Sequence, residues 1–448
     1  MIKYTRLFIT FLLAVFVLGA RAQSTATTSS PYSRYGIGLL DDQLLPQNIG
    51  MGGIATATNT IGGYNSINVI NPASYSKITF TTIDVGVYSN MVTFSKDGYT
   101  DQKNSNTRLS HIAFAFPVTK HSALSFGLLP YSELGYNYKQ ALPKGFGTKP
   151  TPTGGTNVDT NAVNYIYSGE GGLSKAYLGY GFGIGKHLLI GANISYIFGN
   201  LQQDQSTEIP NLYGTLDSRI EQSSHVGGLN YDYGVQYSID FSDTKHLNLG
   251  YSASANSRLN VQNTYIVSQY TRDASGNENV PLDTLVNNKS ANAKLQLPQI
   301  NHFGIAFIKD NSFIIGADYT TGKWSDLSIA GTNSGLQNSQ TFNLGGQITP
   351  NANALSNYLA LMEYKAGIIY EKTYLNVNNV NIKRYAATFG LGLPLPHDRA
   401  SSAFYKVNFS AEIGKRGTLT NGLVQENYVN FHLGFTLNDR WFQRYKYE

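Results

Sequence analysis

Cysteine is absent from this 448-residue chain, which removes any disulfide framework and any lipid-bearing cysteine behind a leader. Charge is scarce as well. Asp, Glu, Lys and Arg make up 14% of the residues, against a usual share of about 25%. The formal charge of +5 falls to +2 once a leader carrying Lys3, Arg6 and Arg21 is removed, and no concentrated basic stripe is left for nucleic acid. No long apolar helix follows the first twenty residues, so the chain offers no helical membrane span. Chemistry is missing too: there is no H-E-x-x-H and no G-x-S-x-G, and the eight histidines show no metal-ligand spacing. "GYGFGIGK" is near a phosphate loop, but Tyr180 stands where the opening glycine belongs and His187 follows Lys186 in place of Ser or Thr. No enzymatic activity, cofactor or metal is expected.

What is present points to export. Lys3 and Arg6 precede the apolar run Leu7 to Leu18, and Ala20-Arg21-Ala22 supplies the small-x-small pattern of a cleavage site. Residues 1–22 are therefore expected to be a signal peptide, with Gln23 first in the mature chain.

Tyrosine and glycine dominate the remainder, at 32 and 45 residues. Their arrangement has a period of two. In "KHLLIGANISYIFGN", Leu188, Ile190, Ala192, Ile194, Tyr196 and Phe198 share one face, and Leu189, Gly191, Asn193, Ser195 and Gly199 the other. "HVGGLNYDYGVQYSID" and "SAFYKVNFSAEIGK" repeat the pattern. The second face holds mostly Gly, Asn and Ser, which suits a crowded polar lumen better than open water. Fourteen such segments are expected, near 78–92, 106–118, 122–138, 162–184, 187–206, 219–241, 246–271, 290–309, 311–326, 338–349, 362–373, 381–395, 402–416 and 424–439. The connections alternate between tight turns such as "TKHS" and long polar loops such as residues 139–161, as periplasmic turns and extracellular loops do. The expected fold is all-β: a transmembrane antiparallel β-barrel of about 14 strands in the outer membrane, closed so that no strand edge meets hydrocarbon. "NDRWF" supplies the interfacial aromatics Trp441 and Phe442, and residues 443–448 form a short tail.

Fifty-five residues, 23–77, precede the first strand. A fourteen-stranded barrel leaves a lumen, and irregular backbone at membrane depth survives only inside protein or a wet cavity. This segment is expected to form a hatch inside the barrel of residues 78–442. Gly50, Gly52, Gly53, Gly62 and Gly63 allow tight backbone, and Asn71-Pro72-Ala73 ends the segment in a fixed bend.

"GMGG", followed about twenty residues later by "NPAS" and then by an all-β remainder, resembles the FadL-like long-chain fatty acid transporters. The hairpin "YSGEGGLSKAYLGYGFGIGKHLLIGANISYIFG" and the "NDRWF" ending share that resemblance. It implies a fourteen-stranded barrel with an internal hatch and passage of hydrophobic solutes, with gating carried by Gly50, Gly52, Gly53, Asn71, Pro72 and Ala73. Two departures are visible: Ser74-Tyr75 follow the motif where members have Gly and an aliphatic residue, and the 139–161 loop is rich in Pro, Gly, Thr and Lys rather than apolar. A glycine cluster within a strand, Gly169, Gly171 and Gly172, is a candidate kink for lateral opening of the wall. The function expected is passive, hatch-gated uptake of hydrophobic solutes such as long-chain fatty acids. The alternative is a non-transporting barrel subunit of an outer-membrane secretion or assembly complex. Partners would be outer-membrane lipid, a hydrophobic small molecule and, in the alternative, other proteins of that complex.

Overall fold

A computed structural model describes residues 28–61, 64–142, 148–150, 156–158, 162–209, 215–273, 275–279, 283–329, 331–333, 335–354, 356–395 and 403–441. The leader, Gly62, Gly63, Phe442 and the tail lie outside these residues. The fold is a closed antiparallel barrel of 14 strands. In chain order the strands are β1 Thr81–Ser95, β2 Gln102–Thr119, β3 Ser122–Leu142, β4 Val163–Ile184, β5 Leu188–Glu208 and β6 Asp217–Ser242. Next come two interrupted strands, β7 (Lys245–Ser254 with Arg258–Tyr270) and β8 (Asp283–Gln296 with Ile300–Lys309). Then follow β9 Phe313–Gly322, β10 Ser339–Ile348, β11 Glu363–Val377, β12 Val380–Pro394, β13 Phe404–Gly417 and β14 Gln425–Asp439. Pairing of β14 with β1, from Gln425↔Ser95 to Asp439↔Thr81, closes the cylinder.

The period of two explains the two faces. Along β5, Ile194, Tyr196 and Phe198 point outward and exposed, while Asn193, Ser195 and Ile197 are buried inside. Exposed aliphatic and aromatic side chains recur on every wall strand, an arrangement that only a hydrocarbon surround makes favourable. On consecutive strands the rings of Tyr251, Phe303, Tyr319, Phe342, Tyr370 and Tyr385 form a continuous row, with neighbouring centroids 4.7 to 6.4 Å apart. Such a row is the girdle expected at an interface.

Strand length differs sharply around the barrel. Strands β9 and β10 have 10 residues each, whereas β4, β5 and β6 have 22, 21 and 26. About 9–11 residues suffice to cross a bilayer at barrel tilt. The β5–β6 ladder stays in register out to Thr207↔Ser218, so this side rises as a collar roughly 25 Å beyond its apolar belt, at about 3.3 Å per residue along a tilted strand.

The bore is occupied by residues 28–61 and 64–80. This segment runs through a 3₁₀ turn at Pro31–Arg34, an extended pair at Leu39–Leu40, a single helical turn at Pro46–Ile49 and a second 3₁₀ turn at Pro72–Lys77. Its apolar side chains pack on the wall in three clusters, the first joining Tyr32 and Ile37 to Tyr131, Leu134 and Leu173. Leu45, Ile67, Tyr75 and Ile78 meet Ala113, Ala115 and Tyr177, and Met51, Ile54 and Ile61 meet Ala306, Ile308 and Ile314.

Candidate functional site

Between Arg34 and Lys77 the hatch carries only two charged residues, Asp41 and Asp42. With Gln43 they form a hub in the bore. The Gln43 N–H donates to Asp41 Oδ1 at 2.9 Å, which turns the chain and places Gln43 at a φ of 53°, a region that non-glycine residues seldom occupy. The three side chains fan out to three different strands. Asp41 binds Arg108 of β2 at 2.7 Å, Asp42 binds Arg384 of β12 at 2.8 Å, and Gln43 accepts from Lys175 of β4 at 3.0 Å. Wall carboxylates complete each cation's shell: Glu133 for Arg108, Glu371 for Arg384, and Asp232 for Lys175 at 2.7 Å. Higher up, Ser30 donates to Glu426, which Arg416 holds at 3.2 Å. Lumen cations this deep persist only when paired, because an unpartnered buried charge is costly.

The glycine motif lies against β10, β11 and β12. Gly52 and Gly53 have φ of 71° and 80°, so both need glycine. The Gly52 N–H donates to Thr388 Oγ1 at 2.8 Å, and that hydroxyl donates to the Gly50 carbonyl at 3.2 Å. Asn71 is fully buried. It caps the Pro72–Lys77 turn by accepting from the Ala73 N–H at 3.1 Å, and its amide donates to the carbonyls of Thr56 (2.7 Å) and Val235 (3.2 Å). Wall glycines make room for these backbones: a Cβ on Gly191 would lie 2.4 Å from Pro72, and one on Gly367 would lie 2.3 Å from the Gly52 nitrogen. Gly179 and Gly181 of "GYGFGIGK" have the same cause, since they face the Tyr75 ring and the Pro72 carbonyl, whereas Gly183 and Gly185 meet no hatch atom.

The wall is partly unzipped between β2 and β3. Strands β2 and β3 pair from Thr119↔Ser122 only as far as Ile112↔Leu128. Above that point β2 stays with β1 and β3 stays with β4. The strands part next to two irregularities, a skipped residue at Ser110 and a bulge at Tyr131 after Pro130, and proline fits there because it has no N–H to donate to a lost ladder. Ile112 and Leu109 lie level with Val85 and Val87 of β1, so the seam begins within the apolar belt. The hatch seals it from inside. Leu39 and Leu40 pair with Glu133 and Ser132 on the free edge of β3, and the Asp41 N–H donates to the Tyr131 carbonyl at 3.0 Å. Arg108 spans the gap, binding Glu133 of β3 and Asp41 of the hatch together.

Gly169, Gly171 and Gly172 lie one strand further round, on β4, which is paired along both edges. Gly171 has a φ of 117°, and a Cβ there would lie 2.1 Å from the Asn200 carbonyl oxygen. The glycines thus accommodate close approach of β5, while the free edge belongs to β3. Two polar cavities of about 100 and 150 Å³ flank Leu39–Asp42. Beneath the long loops the space is apolar and filled by the chain's own side chains, among them Tyr32, Ile37, Trp324, Leu327, Leu336 and Tyr374.

A family model described as BamG matches residues 1–448. No curated protein matches the chain. Among solved structures, the Pseudomonas putida toluene transporter TodX aligns at 12% identity over 89% of this chain and 98% of its own, with a TM-score of 0.57. The Ralstonia pickettii toluene transporter TbuX gives 13%, 89%, 98% and 0.54, and a Pseudomonas aeruginosa FadL homologue gives 11%, 91%, 100% and 0.53. The likeness is one of fold: this chain has a FadL-like β-barrel fold.

Proposed function

The chain belongs to the BamG family, and from that premise we propose that it is a plugged barrel serving as a structural subunit of an outer-membrane complex. The observation that carries this is the state of the bore. Three consecutive hatch residues are tied to three strands through buried charge, and the apolar volume under the loops is taken by the protein itself. A greasy solute would have to displace packed side chains and then pass an ionic hub, and burial at about 0.8 kcal/mol per methylene does not offset unpairing such charges. The raised collar of β4, β5 and β6 gives the partner a rigid, fully hydrogen-bonded surface outside the membrane.

A second reading keeps a specific observation: the seam between β2 and β3. If the hatch strand Leu39–Leu40 withdrew, the free edge of β3 would open the bore sideways into the bilayer. Hydrophobic solutes, long-chain fatty acids included, could then pass under control of Gly50, Gly52, Gly53 and the Asn71-Pro72-Ala73 bend. One experiment separates the two. The barrel is purified in mild detergent with its collar intact and with residues 204–221 replaced by Asn-Gly, which joins the directly paired Gln203 and Gln222 in a tight hairpin. The subunit reading expects stoichiometric protein partners on the intact chain and their loss from the trimmed, still heat-modifiable barrel. An intact barrel without protein partners but with lipid retained in its bore, detected by native mass spectrometry, would overturn it in favour of transport.

A further inference from the structure

Three lysines stand on the lipid-facing side of neighbouring strands: Lys372 on β11, Lys383 on β12 and Lys415 on β13. Their parity fixes the direction. Lys383 alternates with exposed Tyr385 and Phe389 against buried Ile382, Arg384 and Thr388, and Lys415 alternates with exposed Ile413 and Phe409 against buried Glu412 and Ser410. Lys372 and Lys383 are direct cross-strand partners, and Lys415 is opposite Tyr385. The first two α-carbons are therefore about 5 Å apart and the third is a diagonal neighbour at roughly 7–8 Å.

A directly opposed like-charged pair destabilises a ladder, and no described residue on this face relieves it with an ion pair. Among the described residues, none of the three lysines makes an ion pair. The carboxylates of the same strands face the lumen, where Glu371 and Glu412 are held by Arg384 and Glu363 by Lys365 and Lys406.

Below the lysines lies an open groove of about 990 Å³ on the membrane face, with Lys415 on its margin. Tyr319, Phe342, Leu344, Ile368 and Tyr370 line it, and its floor drops at the small side chains Ala317 and Ala387. The Tyr370 and Tyr385 rings, 5.2 Å apart, separate the charged row from the apolar one. This is the order of an amphiphile: anionic head above, acyl chains beneath. It sits at the loop-bearing rim, where aromatic rings mark the lipid–water interface.

The geometry points to a binding site for one phosphate-bearing, multi-acyl lipid of the outer leaflet, its phosphate held by Lys372, Lys383 and Lys415 and its chains in the groove. The anion supplies what the lysine pair lacks, and lysine binds phosphate as a point charge. Neither the hatch nor a protein partner enters this argument, so it stands apart from the reading of function above.

The test uses the full-length barrel, delipidated in detergent and checked for heat-modifiable mobility. Native mass spectrometry measures binding of a phosphorylated outer-leaflet glycolipid, its dephosphorylated form, and inorganic phosphate. We expect binding of the phosphorylated lipid, weakened roughly 100-fold in the triple variant Lys372→Gln, Lys383→Gln, Lys415→Gln and retained when the three become arginine. Lys309→Gln, at the opposite rim, should bind as the parent does. An Ala387→Phe variant, which fills the floor from the lipid side, should bind less tightly with the lysines intact. Undiminished binding by the triple variant, equal binding of the dephosphorylated lipid, or inorganic phosphate binding as tightly as the lipid would each overturn the site.

Discussion

Replacing Arg384 by methionine keeps the length of the stem and removes the cation that joins hatch to wall. The guanidinium is 9% exposed and lies 2.8 Å from Asp42, 2.8 Å from Glu371 and 3.8 Å from Glu412. Without it, buried Glu412 and half-buried Glu371 lose their nearest counter-charge, and removing one partner of a buried pair costs about 3–5 kcal/mol. Asp42 behaves differently. It is 44% exposed, so water takes over part of its solvation, and its lost charge-assisted hydrogen bond is worth about 1.5 kcal/mol, the low end of the range. The single variant should therefore unfold at a markedly lower denaturant concentration in detergent. Amide exchange over residues 41–53 should accelerate about tenfold relative to β4 and β5. Adding Glu371→Gln and Glu412→Gln to Arg384→Met should recover most of the global stability, since a neutralised cluster no longer holds uncompensated charge. It should leave hatch exchange fast, because Asp42 still has no partner. Rescue of neither quantity, or hatch exchange unchanged in Arg384→Met, would refute the assignment of Arg384 as the hatch tether.

Because the chain has no native cysteine, Leu40→Cys with Ser132→Cys, whose α-carbons are paired across the seam, should form one clean disulfide that fixes the hatch to β3; copurification with partners should survive oxidation, whereas any hydrophobic-solute uptake should stop and return on reduction. Gly191→Val or Gly367→Val should cut the yield of heat-modifiable barrel severely, since each places a side chain inside hatch backbone, while Gly183→Ala, whose nearest neighbour would be 3.3 Å away, should fold at parental yield. Asn71→Ala should lower stability by about 2 kcal/mol in a urea titration, through a lost cap and a lost amide donor to the Thr56 and Val235 carbonyls, the first of which still accepts from Gln236; an unchanged midpoint would mean the bend holds itself.

The barrel was legible because one physical rule repeats along it. Lipid on one side and a packed lumen on the other impose alternation at every residue, so even the segment expected at 338–349, with its short apolar run, is a strand, Ser339–Ile348. The rule gives way where both faces are wet. The polar run "DTLVNNKSANAKLQ" has no alternation to read, and β8 starts at Asp283 rather than near 290. The expected strand 246–271 is broken at 255–257, where the ladder of β6 passes from one half of β7 to the other. The hub and the clasp were hidden for a different reason: Asp41 meets Arg108, and Asp42 meets Arg384, across 67 and 342 residues of chain, and no local spacing encodes such pairs. Two local signals did exist. An acidic doublet in an otherwise uncharged stretch of hatch has to be answered by cations from the wall, and Pro130 inside a long strand pattern marks a missing ladder partner. Taken together they place the unzipped edge of β3 beside the acidic turn of the hatch. Withdrawing Leu39–Leu40 from β3 would therefore have to unpair Arg108 from Asp41 or from Glu133, since that one guanidinium holds both.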